Sequence, residues 1–221
     1  MPGAQGAQPP SFGARAAFYI MIVISYYTPD YKEHIDRLLK SCIKFGLHYS
    51  FTQIEDKGGW VNNCLYKPTF IREMLEHFRE PILYVDADAE FIEYPKLFDD
   101  IECDIAAHTL DWGKYRDKRK GYYELLSGTL YFCNTVKAIE LLEEWEKKCK
   151  TEVDCFDQWH LDKIMHEKRG YFGDEELRIY DLPPEYCHVK DIMTGNPVIF
   201  HNQASRETRR RENERGLCKT T

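Results

Sequence analysis

Two carboxylates spaced two residues apart, Asp86 and Asp88, close the apolar run "PILYVDADAEF". Side chains alternate along an extended strand, so both acids would project to one side while Ala87 points away and adds no bulk. Like charges held that close are costly unless they share a proton or a cation sits between them. Oxygen ligands suit a hard divalent ion, Mg²⁺ or Mn²⁺, that keeps coordination sites for water and phosphate. The pair therefore reads as a metal–diphosphate site, with two solvated acids at a strand end as the plainer alternative.

The elements that must position this pair can be traced from the hydrophobic pattern. The run Ile82 to Val85 is continuous and apolar, as expected of a buried strand in a parallel sheet. An earlier run, "AFYIMIVI", is predicted as the first core strand and is too short to span a bilayer. Asp30 with Glu33 predicts an acidic capping box ahead of a helix carrying Ile35, Leu38, Leu39, Cys42 and Ile43, which Gly46 ends. "LHYSFTQI" follows as a second strand. "KPTFIREMLEHFR" is predicted as a helix with Pro68 in its first turn and Phe70, Ile71, Met74, Leu75 and Phe78 as its buried stripe. Further strands are expected at "DIAAHT", "LLSGTLYFCNT", "RIYDLP" and "PVIFHN", and two helices at "VKAIELLEEWEKKC" and "FDQWHLDKIMHEK". The β-α-β opening is the signature of a parallel sheet with helices on its faces.

Length and composition bound the reading. A chain of 221 residues supports one sizeable core, and no repeat or second domain is visible. The expected organisation is a disordered segment over 1–17, a single α/β domain over 18–206 and a charged tail over 207–221. A net charge of −7 argues against a broadly basic nucleic-acid surface, although the loop at Lys114 to Lys120 and the tail are locally basic. The eight cysteines contain no C-x-x-C pair, which disfavours zinc and favours buried free thiols in a reducing, cytoplasmic compartment, host cytoplasm if the source is viral, with disulfides as the alternative that an even count leaves open. No G-x-G-x-x-G follows the first strand, so a nicotinamide or flavin fingerprint is absent.

The segments "KGGWVNNCLYKPTFIREML…PILYVDADAEF", "LSGTLYFCNT", "DCFDQWHLDKIM" and "VIFHNQASR" occur in an order and spacing that resembles nucleotide-sugar-dependent glycosyltransferases of the A-type fold, from about Tyr19 to Arg206. That resemblance implies a Rossmann-like, mostly parallel mixed sheet flanked by helices. It implies a divalent metal, commonly Mn²⁺, held by Asp86, Asp88 and the strand-terminal His201, which on its own reads as a hydrogen-bonded structural residue. It also implies a nucleoside diphosphate sugar donor, most commonly a UDP sugar, and an acceptor hydroxyl, expected on a glycan.

Donor contacts are then expected from Ser25, Tyr26, Tyr27 and Thr28 at the end of the first strand, where open α/β sheets place their ligand crevice. Lys67, otherwise a solvated lysine at a helix start, matches a basic residue that reaches the diphosphate, with Trp60 and Asn63 in the loop before it. Ala87 lies between the metal-binding acids. Ser127 and Gly128, with Thr129, let a ligand approach the backbone or form a strand bulge. Asp157 and Gln158 match a "DQ" pair near the transferred sugar; helix capping is the alternative for Asp157. As an acceptor base Asp157 would serve an inverting enzyme, whereas a retaining one would use the departing phosphate; the "DQ" pair and terminal His lean toward retention. Two rivals stand beside this: a D-x-D phosphohydrolase, whose motif follows the first strand with Thr or Val where Glu90 stands here, and a non-catalytic nucleotide- or carbohydrate-binding module.

Overall fold

The computed structural model describes residues 21–116, 119–169 and 177–214. The proposed disordered segment 1–17, the start of the predicted first strand and the end of the charged tail lie outside them.

Strand β1 (Ile22–Tyr27) is followed by a 3₁₀ turn over Pro29–Tyr31 and helix α1 (Lys32–Phe45). The turn displaces the expected capping box: neither the start of the turn nor the start of α1 has a side-chain cap, because Pro29 at the first position starts the coil without one. Gly46 does end α1, in the left-handed conformation with φ 65°. Strand β2 (His48–Gln53) returns parallel to β1. The segment expected as a loop around Trp60 and Asn63 is a short helix, α2 (Trp60–Leu65), continued by α3 (Lys67–Phe78). Phe70, Ile71 and Leu75 of α3 are fully buried, with Met74 and Phe78 packed at the edge of the same cluster.

Strand β3 (Ile82–Val85) is buried throughout and pairs parallel with β1. A tight turn at Asp86 then leads into β4 (Ala89–Phe91), with the Ala89 N–H donating to the Asp86 carbonyl at 2.9 Å. Strand β5 (Ile105–Asp111), β6 (Tyr123–Phe132), α4 (Val136–Thr151), α5 (Asp157–Arg169), β7 (Ile179–Asp181), β8 (His188–Val189) and β9 (Ile199–His201) complete the core. The final helix, α6 (Ala204–Glu214), occupies a segment that the sequence presents as a frayed tail from Arg206. Its contacts with Tyr31, Trp60 and Asp88 supply what its own charged composition lacks.

The main sheet has the order β2-β1-β3-β6-β5-β7, with β6 antiparallel to both neighbours and the other pairs parallel. A small second sheet, β4-β9-β8, brings the end of β9 against the turn after β3. One apolar cluster packs α3, α4 and α5 on one face of the main sheet, around Phe70, Phe132 and Trp145. The other packs α1 and the small sheet on the opposite face, around Leu38, Leu83 and Phe91. Both clusters share the central strands, so one sheet carries a single α/β domain. No helix among the described residues is long and apolar enough to cross a membrane.

Candidate metal and donor site

The site forms where three chain segments meet at the C-terminal end of β3. Strand β3 delivers Asp86, the following turn delivers Asp88, and β9 delivers His201, paired in register with Ala89. One ligand atom from each of Asp86, Asp88 and His201 lies within 4.8 Å of the others. The two acids converge through a turn rather than through strand alternation, because β3 stops at Val85.

Strand β6 bends to accommodate this cluster. Its pairing with β5 passes from Ala107–Leu130 to His108–Leu126, so Ser127, Gly128 and Thr129 bulge out of that ladder. The Gly128 carbonyl accepts the Asp86 N–H at 2.9 Å, and the Thr129 hydroxyl bonds His201 Nε2 at 2.8 Å. A Cβ at Gly128 would lie 3.1 Å from His201 Cε1, 3.2 Å from its Nδ1 and 3.4 Å from Asp86 Oδ2. The close approach that requires glycine is thus made by the imidazole. With Nε2 fixed on Thr129, Nδ1 is the nitrogen turned toward the carboxylates, 3.9 Å from Asp88 Oδ1.

Lys67, at the first position of α3, is 4 % exposed. Its ammonium lies 3.1 Å from Asp86 Oδ1, 3.0 Å from Asp157 Oδ2 and 3.0 Å from Ser127 Oγ. Ser127 Oγ donates to Asp157 at 2.9 Å, and the Tyr84 hydroxyl donates to Asp86 at 2.9 Å. These groups form the floor of a cavity of about 860 Å³ at the C-terminal ends of β1 and β3.

No protein-family model matches the chain, and no curated protein matches it by sequence. Solved structures match it by shape. A glycosyltransferase involved in glycosylation of the major capsid of PBCV-1 aligns with a TM-score of 0.60 at 13 % identity, over 88 % of this chain and 98 % of that one. The bifunctional glycosyltransferase WbbM aligns at 0.56 and 14 % identity, over 90 % of this chain and 47 % of that one. The galactosyltransferase LgtC, in complex with donor and acceptor sugar analogs, aligns at 0.50 and 11 % identity, over 91 % of this chain and 97 % of that one. This chain has the A-type glycosyltransferase fold. It spans nearly the whole of the first and third of these proteins and about half of the second.

Within this glycosyltransferase fold, the donor set fits a divalent cation on chemical grounds. Desolvation raises the Asp86 carboxyl above the usual carboxylate range, and the Asp88 charge adds to this while Lys67 opposes it. Asp88 is held low: burial works against its charge, but hydrogen bonding to His201 and to the Ala204 N–H outweighs it. Burial likewise disfavours charge on His201, yet the Cys187 thiol and Asp88 push it up to about 10. Crowded acids beside an imidazole that favours its proton describe a pocket of negative potential, in which a metal ion would take the place of the proton on Nδ1. Two carboxylates and one imidazole suit Mn²⁺ better than Mg²⁺.

The other sequence candidates divide. Tyr27, Thr28, Trp60, Lys67, Ala87, Ser127, Gly128, Asp157 and Gln158 all line the cavity. Ser25 does not: β1 runs on to Tyr27, and at 0 % exposure Ser25 is buried within the strand rather than presented by a loop. Tyr26 reaches the cavity edge but is chiefly a core residue, packed edge-on to Phe70 and donating its hydroxyl to the Asn63 carbonyl at 2.7 Å. Asn63 also lines the cavity, while its amide braces the loop before α2, donating to Asp56 at 2.9 Å and accepting from the Lys57 N–H at 2.8 Å. Asp157 is 2 % exposed and committed to Lys67 and Ser127, so it braces that lysine rather than standing open as a base. Lys67 is correspondingly no solvated lysine.

The structure also adds residues. Tyr84 on the floor, Trp112 and Glu124 on one wall, and Arg206 and Arg209 on α6 all line the cavity. Arg209 sits over the Trp60 ring, 4.7 Å from its centroid. Arg206 directly follows the "HNQAS" stretch, so its place beside a candidate ligand is visible in the sequence while its helix is not. The seven described cysteines are free thiols; Cys218 lies outside the described residues.

Proposed function

We propose that this chain is a metal-dependent glycosyltransferase that moves a sugar from a nucleoside diphosphate donor, with UDP sugars the first candidates, to an acceptor hydroxyl on a glycan. The observation that carries this reading is the convergence of Asp86, Asp88 and His201 on the floor of the cavity in an A-type glycosyltransferase fold. The glycan acceptor follows by analogy with the galactosyltransferase that shares the fold, whose structure holds an acceptor sugar analog.

Asp86, Asp88 and His201 would hold Mn²⁺ or Mg²⁺, whose Lewis acidity neutralises charge developing on the leaving diphosphate. Tyr27, Thr28 and Trp60 line the end of the cavity where β1 and β2 finish, and receive the nucleoside. Arg206 and Arg209 on α6 supply positive charge to the diphosphate, since the Lys67 ammonium is already divided between Asp86 and Asp157. Lys67 keeps Asp86 and Asp157 oriented without contacting the donor. With Asp157 engaged, the departing phosphate oxygen would serve as the base for the acceptor hydroxyl, which favours retention of configuration. Gln158 lines the cavity beside Ser127, and its assigned role is to meet the reacting sugar.

The test is a thermal-shift panel of nucleoside diphosphates and their sugars, each with Mn²⁺ and with chelator, followed by donor hydrolysis and transfer assays. A ligand that binds only the folded chain raises Tm by mass action. A Mn²⁺-dependent shift with one nucleotide and turnover of its sugar supports the reading. The same shift without turnover returns the chain to a nucleotide-binding module, and no shift with any nucleotide removes the diphosphate site.

A further inference from the structure

We propose that Glu124 is a positioning residue that fixes which end of the Gln158 amide faces the reaction centre, so that the cavity meets an oxygen rather than an NH₂ group. This rests on the reading of the site as a glycosyl-transfer centre. Glu124 lies on β6 just before the bulge, half-buried in the cavity wall. Its Oε1 accepts from Gln158 Nε2 at 2.6 Å, and its Oε2 accepts from the Trp112 indole Nε1 at 2.6 Å. At the opposite end of the same amide, Gln158 Oε1 accepts the Ser127 N–H at 3.1 Å.

The two partners of Gln158 agree on its orientation for independent reasons. An ionised carboxylate only accepts, so it demands the NH₂ end; a backbone N–H only donates, so it demands the oxygen. The Ser127 N–H is available because the bulge takes residues 127–129 out of the ladder with β5. Residue 124 must also satisfy two donors on two different elements at once, the indole of Trp112 and the amide of Gln158. Only a carboxylate offers two acceptor oxygens; glutamine would bring one acceptor and one donor. The requirement for two acceptors explains an acid on this wall where both of its hydrogen-bond donors are neutral.

The orientation has a chemical consequence. A carbonyl oxygen carries two lone pairs, and the Ser127 N–H uses one. Gln158 Oε1 is thereby held next to Ser127, which also contacts Lys67 and Asp157, at the heart of the site. Positive charge develops on a sugar as its bond to phosphate breaks, and a fixed oxygen dipole stabilises that charge whereas an amide donor opposes it. Glu124 acts through Gln158 and does not touch the sugar itself.

The experiment compares wild type with Glu124→Gln, Gln158→Ala and the exchange variant Glu124→Gln/Gln158→Glu. In the exchange, the amide introduced at position 124 accepts from Trp112 and donates to the carboxylate introduced at position 158, whose other oxygen accepts from Ser127. Every hydrogen bond is then rebuilt and an oxygen still faces the cavity. Expected are a Tm within a few degrees of wild type and unchanged Mn²⁺-dependent nucleotide binding for Glu124→Gln. Its kcat for donor hydrolysis should fall about ten- to hundredfold with donor KM within about threefold, and the exchange variant should recover most of that loss. Gln158→Ala should lose at least as much as Glu124→Gln. The Trp112 indole N–H resonance, assigned with Trp112→Phe, should move in Glu124→Gln and return in the exchange variant. An unaltered kcat in Glu124→Gln or Gln158→Ala, or an exchange variant as slow as Glu124→Gln, overturns the positioning role and leaves the proposed function standing. Absence of turnover in wild type overturns the proposed function, and the positioning role with it.

Discussion

Helix α3 carries two buried clusters of charge, one at its first turn and one farther along, and they are built on opposite principles. At the first turn Lys67 is one ammonium among three carboxylates, those of Asp86, Asp88 and Asp157, two of which it touches. Farther along, Arg72 and Thr69 meet Glu146 of α4, where a single carboxylate accepts from Arg72 Nε at 2.8 Å and Thr69 Oγ1 at 2.9 Å and also pairs with Lys150. The second cluster is neutral or better and closed by its own partners. The first, even with a proton on His201, still sets three carboxylates against two cationic groups at the floor of a cavity, an arrangement that favours a further cation. Counting charges, rather than counting ion pairs, separates the site from the scaffold.

The sharpest way to break this contrast is to remove the shared cation. Lys67→Met should destabilise the fold by about 3–5 kcal/mol, because it leaves Asp157 buried without compensation. Adding Asp157→Asn should restore much of the lost stability in chemical denaturation, while Asp86, open to the cavity, needs no such rescue. An additive double variant would mean that Lys67 is not the partner that makes Asp157 tolerable.

Glu146 offers the opposite test. Burial works against its charge, but hydrogen bonds from Arg72, Lys150 and Thr69 hold its pKa at about 2, below the ordinary 4.5. A depressed carboxyl contributes stability that is complete above its unfolded pKa and disappears as pH falls through the folded one. Glu146→Gln should therefore cost about 3 kcal/mol at neutral pH, with the gap to wild type closing between about pH 4.5 and pH 2. A gap independent of pH would show that packing rather than charge holds this cluster. Metal and nucleotide binding should be untouched.

Asp88→Asn sharpens the other side. It keeps an oxygen to accept the Ala204 N–H, now received by Oδ2 at 2.7 Å, but removes one charge from the site. Mn²⁺-dependent nucleotide binding should weaken by at least about a hundredfold with little change in Tm without ligand. His201→Ala should weaken it less, since an imidazole contributes no negative charge. Equal effects, or none for Asp88→Asn, would contradict the assignment of the excess charge to a cation.

Much of this is legible in the chain. The apolar run before Asp86, the Lys67-Pro68 helix start and the strand-terminal His201 each declare themselves through local pattern, and the structure brings them together. What pattern cannot show is which oxygen faces which neighbour. Ser25 looks like a loop serine because the strand's end is set by its pairing with β2 as far as Gln53, a long-range fact. Asp157 looks like a free base because the lysine that occupies it lies far away in sequence. Helix α6 has the composition of a solvated tail, and only its contacts with Asp88, Tyr31 and Trp60 make it a wall of the site. Glu124 carries no motif at all, since its role depends on two donors from two other elements.

The smallest change expected to matter falls where bulge and site coincide. In the sequence, Gly128 admits two readings, a strand irregularity or a close approach, and the structure shows that these are one feature. The bulge brings the Gly128 backbone against the His201 ring, so an added methyl would sit 3.1–3.2 Å from imidazole atoms that Thr129 and the small sheet hold in place. Neither backbone nor ring can yield freely, and the cheapest relief is a small rotation of His201 away from Asp86 and Asp88. Gly128→Ala should therefore lower stability by about 1–2 kcal/mol, within the usual range for overpacking. It should weaken Mn²⁺-dependent nucleotide binding by about tenfold, because a misdirected ligand costs less than an absent one. The His201→Ala background decides between this route and a general loosening of the sheet. If Gly128 acts through the imidazole, adding Gly128→Ala to a chain without that ring should cost almost nothing further in binding, whereas an undiminished tenfold loss would place its effect elsewhere in the bulge.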